Sequence, residues 1–122
     1  MAMKHDNLKD RTKRFALGVV KLVEKLPNDQ VSKVLGGQLL RCGTSVGANY
    51  RAVCRAKSTA DFISKFGTVE EEADESGFWL DLLVDAGKLS PSAANPLITE
   101  SDELTAIAIA SINTARRSQR GQ

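Results

Sequence analysis

The chain has 122 residues, 42% of them hydrophobic and 26% charged, with a formal net charge of +2. That length predicts one domain over 1–122, with a core large enough to need no metal or disulfide. No apolar run approaches the roughly 18 residues of a membrane span. The first ten residues lack the apolar segment of a signal peptide, so a cytoplasmic location is the expectation. The small net charge hides an asymmetry: residues 1–57 carry +8, residues 58–103 carry −9, and the last stretch regains +3 through Arg116, Arg117 and Arg120. Such a split predicts either mutual neutralisation or a basic surface for an anionic partner.

Apolar residues recur at helical spacing and no period-2 stretch stands out. The first helix is expected over about 7–26, with Leu8, Phe15, Val19, Leu22 and Leu26 along one face and Pro27-Asn28-Asp29 as its stop. The second is expected over 30–56, with Val31, Leu35, Leu39, Cys42, Val46 and Val53 facing inward. Ser58 is a good cap for a third helix over 59–86, with Asp61 in its first turn. Phe62, Phe66, Val69, Ala73, Leu80 and Leu83 form its seam, widened by Phe78, Trp79 and Leu82, and Gly87 fits the residue just past its end. Ser90-Pro91 and Asn95-Pro96 are both acceptable cap-and-first-turn pairs. The reading is a short turn at 91–94 and a main helix over 96–118, with Leu97, Leu104, Ala108 and Ser111 inward. Four long helices with short connections predict an all-α, antiparallel, up-down-up-down four-helix bundle.

If the second and third helices form a hairpin turning near Lys57, Arg41 falls opposite 72–75, Arg51 near Ser64 and Arg55 near Asp61. The run Glu70 to Glu75 spans too many directions for every acid to face solvent, so Glu72 or Glu75 should point toward the second helix. Such pairs fix register more than they add stability; a solvated charged face would also account for them. Gly43 and Gly47, four apart, make that helix thin enough for close approach by another helix, each at a cost of up to about 1 kcal/mol relative to alanine. Cys42 and Cys54 lie roughly 18 Å apart on one helix and cannot pair within it; they read as small buried packing residues.

Catalytic patterns are missing from the sequence. Glu71-x-x-Asp74 and Glu72-x-x-Glu75 lack the histidines of a di-metal bundle, His5 is the sole histidine, and Gly36-Gly37 does not open a P-loop. The expectation is a non-enzyme with no metal or cofactor. Lys4, Lys9, Arg11, Lys13 and Arg14 cluster near the start of the first helix. An up-down-up-down bundle brings Arg116, Arg117 and Arg120 to the same end, a basic rim suited to RNA or DNA phosphates. Tyr50 is the one candidate for an exposed base-stacking ring.

The order Gln38-Leu-Leu-Arg41, Ser45-Val46-x-Ala48-Asn49, Arg55-Ala-Lys57-Ser58-x-x-Asp61-Phe62-Ile63, Glu71-Glu72-Ala-Asp74-Glu75 and Phe78-Trp79-Leu80 resembles the four helix bundle protein family, also called the intervening-sequence protein or S23 ribosomal protein family. The resemblance runs from about 11 to 117. It implies a four-helix bundle that assembles into a homo-oligomeric ring, typically a pentamer. It also implies a likeness to the accessory variability protein of diversity-generating retroelements, a basic barrel that binds a reverse transcriptase and nucleic acid. Many members of the family carry Ala-Glu-Gly soon after the asparagine. This chain has Tyr50-Arg51-Ala52-Val53 instead, so no role of that glutamate transfers. The expected function is RNA binding through the basic rim, of which an accessory role in a ribonucleoprotein is one form; a protein-interaction scaffold is the competing class. Interface candidates are Arg41, Ser45, Asn49, Arg51, Arg55, Asp61, Glu71, Glu72, Glu75 and Trp79.

Overall fold

The structure, a computed structural model, describes residues 4–121, with side chains described from Asn7 onward. The side chains of Lys4 and His5 therefore lie outside the described residues. Four α-helices follow one another: α1 (Lys4–Glu24), α2 (Gln30–Val53), α3 (Thr59–Asp85) and α4 (Pro91–Arg120). Each packs on its chain neighbours, α4 closes back on α1, and the backbones of the diagonal pairs stay apart: an all-α four-helix bundle. The α1–α4 seam is the shortest of the four contacts. None of the described helices is long and apolar enough to cross a membrane.

Local chemistry sets the helix ends. The Asp29 carboxylate accepts the Ser32 N–H at 2.8 Å and starts α2, and the Ser58 hydroxyl accepts the Asp61 N–H at 3.0 Å and starts α3. Gly87 has φ 75°; its N–H reaches the Val84 carbonyl and the next N–H, of Lys88, reaches Leu83. This double closure needs a left-handed residue, which glycine supplies without a Cβ clash. α1 ends at Glu24 and α2 at Val53, each followed by short i to i+3 bonds rather than another α turn.

α4 departs from expectation. It begins at Pro91, capped by Ser90, and runs unbroken through Pro96. Pro96 removes one donor, that to the Ser92 carbonyl. Both residues are exposed, so water can satisfy that carbonyl. Burying Ala94 and half-burying Leu97 and Ile98 outweighs the preference of Asn95 for extended backbone.

The core is built from Phe15, Val19, Leu39, Val46, Phe66, Val69, Leu80, Leu83, Leu104 and Ala108. Three inward assignments need correction. Val31 is 48% exposed while Ser32 is buried beneath it. Phe78 is 57% exposed, stacked edge-on against Trp79 at 5.0 Å. Cys54 is exposed just past the end of α2, whereas Cys42 is buried with its Sγ 3.3 Å from the Ser76 hydroxyl, and burial pushes its thiol pKa up.

The close approach that Gly43 permits is made by α1. A Cβ on Gly43 would lie 2.8 and 2.9 Å from the two methyls of Val19, a fully buried β-branched residue with no room to turn. Gly67 faces open space. Gly43→Ala is expected to lower stability, because overpacking of about 1–3 kcal/mol exceeds the helix-propensity gain of up to about 1 kcal/mol. Gly67→Ala is expected to raise it by that propensity gain, as measured by denaturant melts of both variants.

Candidate nucleic-acid interface at one end of the bundle

The antiparallel arrangement gathers the start of α1, the end of α2, the start of α3 and the end of α4 at one end. An open basin of about 780 Å³ lies there, lined among others by Lys9, Val53, Lys57, Thr59, Phe62 and Ser118. A second depression of about 550 Å³ runs along the outer furrow between α1 and α2, with Lys9 and Lys13 on one bank and Arg51 on the other. Lys9 lines both. The furrow is shallow-floored because Gly47 faces the Thr12 backbone, with Ala16 and Ala48 beside it.

The electrostatics of this end follow from which acids are already engaged. Asp10 pairs with Arg14 one turn along α1. Asp61 accepts the Lys65 ammonium at 2.7 Å and the Lys57 N–H at 3.0 Å; these bonds, Lys65 first, hold its carboxyl below the ordinary range. Lys9, Lys13, Arg51, Arg55, Lys57, Arg116, Arg117 and Arg120 have no carboxylate partner among the described residues. Arg117 reaches only the Thr114 hydroxyl. The result is a field of unneutralised cations around a concave surface.

Several expected residues sit elsewhere. Arg11 turns into the α1–α4 seam, where its Nε and Nη2 meet the two oxygens of Glu100 at 3.0 and 2.7 Å and Nη2 also meets Glu103 at 3.0 Å. The bond to Glu100 is the main reason its pKa is raised, and the side chain is held away from any phosphate. Arg14 shares its charge with Asp10. Arg51 is not near Ser64: ten residues at about 100° each leave it roughly 80° round the helix from Arg41, on the α1 side. Arg55 does not reach Asp61, because α2 has already ended at Val53 and the backbone N–H of Lys57 with Lys65 fills that carboxylate. Tyr50 is 1% exposed, stacked on Phe66 at 5.7 Å, and presents no ring to solvent. The half-exposed ring at this end is Phe62, which the sequence placed in the core seam.

Away from the basic end, α2 and α3 meet through Arg41, whose Nη2 lies 2.5 Å from Glu75 and whose Nη1 lies 3.5 Å from Glu72. Trp79 donates its indole N–H to the same Glu75 oxygen at 3.0 Å. Ser45 and Asn49 bond back to the carbonyls of Arg41 and Ser45 on their own helix. Glu71 is exposed on the outside of α3.

This is a four-helix bundle with one strongly basic end and an acidic third helix. The model of the 23S rRNA-intervening sequence protein family matches residues 5–110, and the chain belongs to that family. It is also similar to a crystal structure of a protein with unknown function from the S23 ribosomal protein family of Bacteroides thetaiotaomicron. The TM-score is 0.84 and the identity 36%, over 91% of this chain and 99% of that one. No curated protein sequence matches it.

The Arg11 cluster joins the two helices with the shortest mutual seam, so it should matter more than an exposed pair. A double-mutant cycle with Arg11→Leu and Glu100→Gln is expected to give a coupling of about 1–3 kcal/mol, the range of hydrogen bonds to charged groups. The same cycle on the exposed pair Arg14 and Asp10 should give well under about 1 kcal/mol.

Proposed function

We propose that this protein is a non-enzymatic, cytoplasmic RNA-binding bundle that works as a homo-oligomer, with the basic end as its phosphate-contacting surface. The observation that carries the reading is the concentration of cations without a carboxylate partner around an open basin, drawn from α1, α2, α4 and the α2–α3 connection. The family description, which names an intervening sequence of 23S rRNA, favours RNA over DNA as the anion. The free thiols of Cys42 and Cys54 suit a reducing compartment. Binding of this kind is dominated by counterion release and steered by the field of the whole end.

Filter binding of RNA across a salt series tests the reading. Retention is expected at about 50 mM salt and should fall by orders of magnitude by about 200 mM if six or more phosphates are contacted. No retention at the low-salt end would overturn it.

The oligomer has its own support. Leu17, Val34 and Leu40 are exposed on the outer faces of α1 and α2, and Phe78 on the outer face of acidic α3. Mating these apolar positions of α1 and α2, clear of the basic furrow, with Phe78 on the acidic α3 of the next copy is a heterologous contact, and such contacts close into rings when the rotation permits. A pentamer is the size that the family resemblance implies. Light scattering at micromolar concentration is expected to return a multiple of the chain mass, reduced by Phe78→Asp. A monomeric wild-type chain would remove the ring and leave RNA binding to stand on the basic end alone.

A further inference from the structure

The basin and the α1/α2 furrow adjoin at Lys9, which lines both. Their chemistry differs. The basin holds the one aromatic among its lining residues, Phe62, half-buried and braced edge-on against Phe66 at 5.2 Å and 77°. A braced, partly exposed ring bordering an open, cation-rimmed space offers a nucleobase a surface on which to stack. The furrow has no aromatic; its floor is Thr12, Gly47 and Ala48, and its banks carry Lys9 and Lys13 from α1 and Arg51 from α2. Lys9 and Lys13 are one turn apart, about 6 Å along the helix axis. All three side chains lack a carboxylate partner among the described residues, and the acid beside them, Asp10, is engaged by Arg14.

A furrow of about 550 Å³ falls in the range of sites that hold one small ligand, about 300–1,000 Å³, the scale of a nucleotide or two of a single strand. The presence of a stacking ring favours a single strand, since only unpaired bases expose a face to it.

We propose that a single strand of RNA places one unpaired base on Phe62 in the basin and carries its phosphates past Lys9 into the α1/α2 furrow, between Lys13 and Arg51. The proposal rests on the RNA-binding reading above and sharpens it to an unpaired, sequence-tolerant strand with a defined path. It gives Arg51, on the α1 side of α2, a role that the expected place opposite α3 would not: the second bank of a phosphate track.

Fluorescence anisotropy with a 12-nucleotide single-stranded RNA and a blunt hairpin duplex of equal length, each over a salt series, tests it. The wild-type protein is expected to bind the single strand more tightly than the duplex. Arg51→Ala and Lys13→Ala should each make the log-affinity against log-salt slope shallower by about 0.7, the value of one single-strand phosphate contact. Lys33→Ala, at the opposite end of α2, should leave it unchanged. Phe62→Leu should weaken binding about fivefold or more with the slope intact, since loss of stacking is an uncharged effect. Phe62→Tyr should restore it, and thermal melts check that both variants fold. Arg51 is exposed, so its variant tests the track even if the Phe62 variants unfold. Equal or tighter duplex binding overturns the proposal. So does single-strand binding with slopes unaltered in both furrow variants, which would leave RNA binding to the arginines of α4. If the wild-type protein binds neither RNA, this proposal and the reading beneath it fall together.

Discussion

Arg11 holds this bundle closed and sets the charge of its basic end at the same time. The first and last helices share the shortest seam in the structure, and the Arg11 guanidinium spans it with bonds to Glu100 and Glu103. Those carboxylates are the acids of α4 that come nearest to the first turns of α1. Left unpaired, they would draw down the positive potential only a turn or two from Lys9 and Lys13. Bound to Arg11, they have one of their two charges offset by a cation that is itself withdrawn from the surface. A fork-shaped donor suits this task better than an ammonium, because three bonds leave one planar group in a single orientation.

The second half of the charge separation is made by the α2–α3 hairpin. Arg41 meets Glu75 and Glu72 in the middle of the bundle, and Trp79 fixes the shared oxygen of Glu75 from the other side. Arg41 is half exposed, so water screens the pair and its value lies in register rather than in stability. With the hairpin locked in that register, the acids of α3 sit several turns from the α2–α3 connection. Only Asp61 lies near it, and Asp61 is spent on the first turn of its own helix. The cations of the basic end therefore stay unpaired as a consequence of topology and register, not merely of composition.

This division explains what could be read from the sequence. Number and order of helices are legible because Phe15, Val19 and Leu22, or Phe66, Val69 and Ala73, repeat at the helical period over several turns. The caps at Ser58 and Gly87 are legible because each is a short-range effect, whereas Asp29, legible only as part of the stop after α1, also caps α2. What failed were choices that tertiary packing makes. Pro96 looks like a helix start because its local preferences say so, and burial of Ala94 on the preceding turn overrides them. Tyr50 looks like a surface ring because it sits beside Asn49 and Arg51, yet its period places it one turn from Val46 and Val53 in the core. Distance from the turn alone puts Arg51 beside Ser64 and ignores azimuth; the roughly 100° step per residue carries the correction. The pairing of Arg11 was invisible because its partner is 89 residues away and no local spacing marks it.

An end so rich in unpaired cations carries a standing cost, since like charges held near one another repel and the folded state must bear it. The bundle tolerates it because Gly43 and the aliphatic core lock α1 on α2 independently of the charges at the end. A polyanion docked there as proposed would relieve that repulsion, and would favour the folded arrangement, in which four helices and a connection converge, over an unfolded chain in which they do not. Any such ligand would stabilise the fold by about 2.7 kcal/mol at a free concentration one hundred times its Kd. The repulsion and the proposed binding are thus two sides of one arrangement: the features that make the end costly when empty are those that the proposed phosphate contact would use.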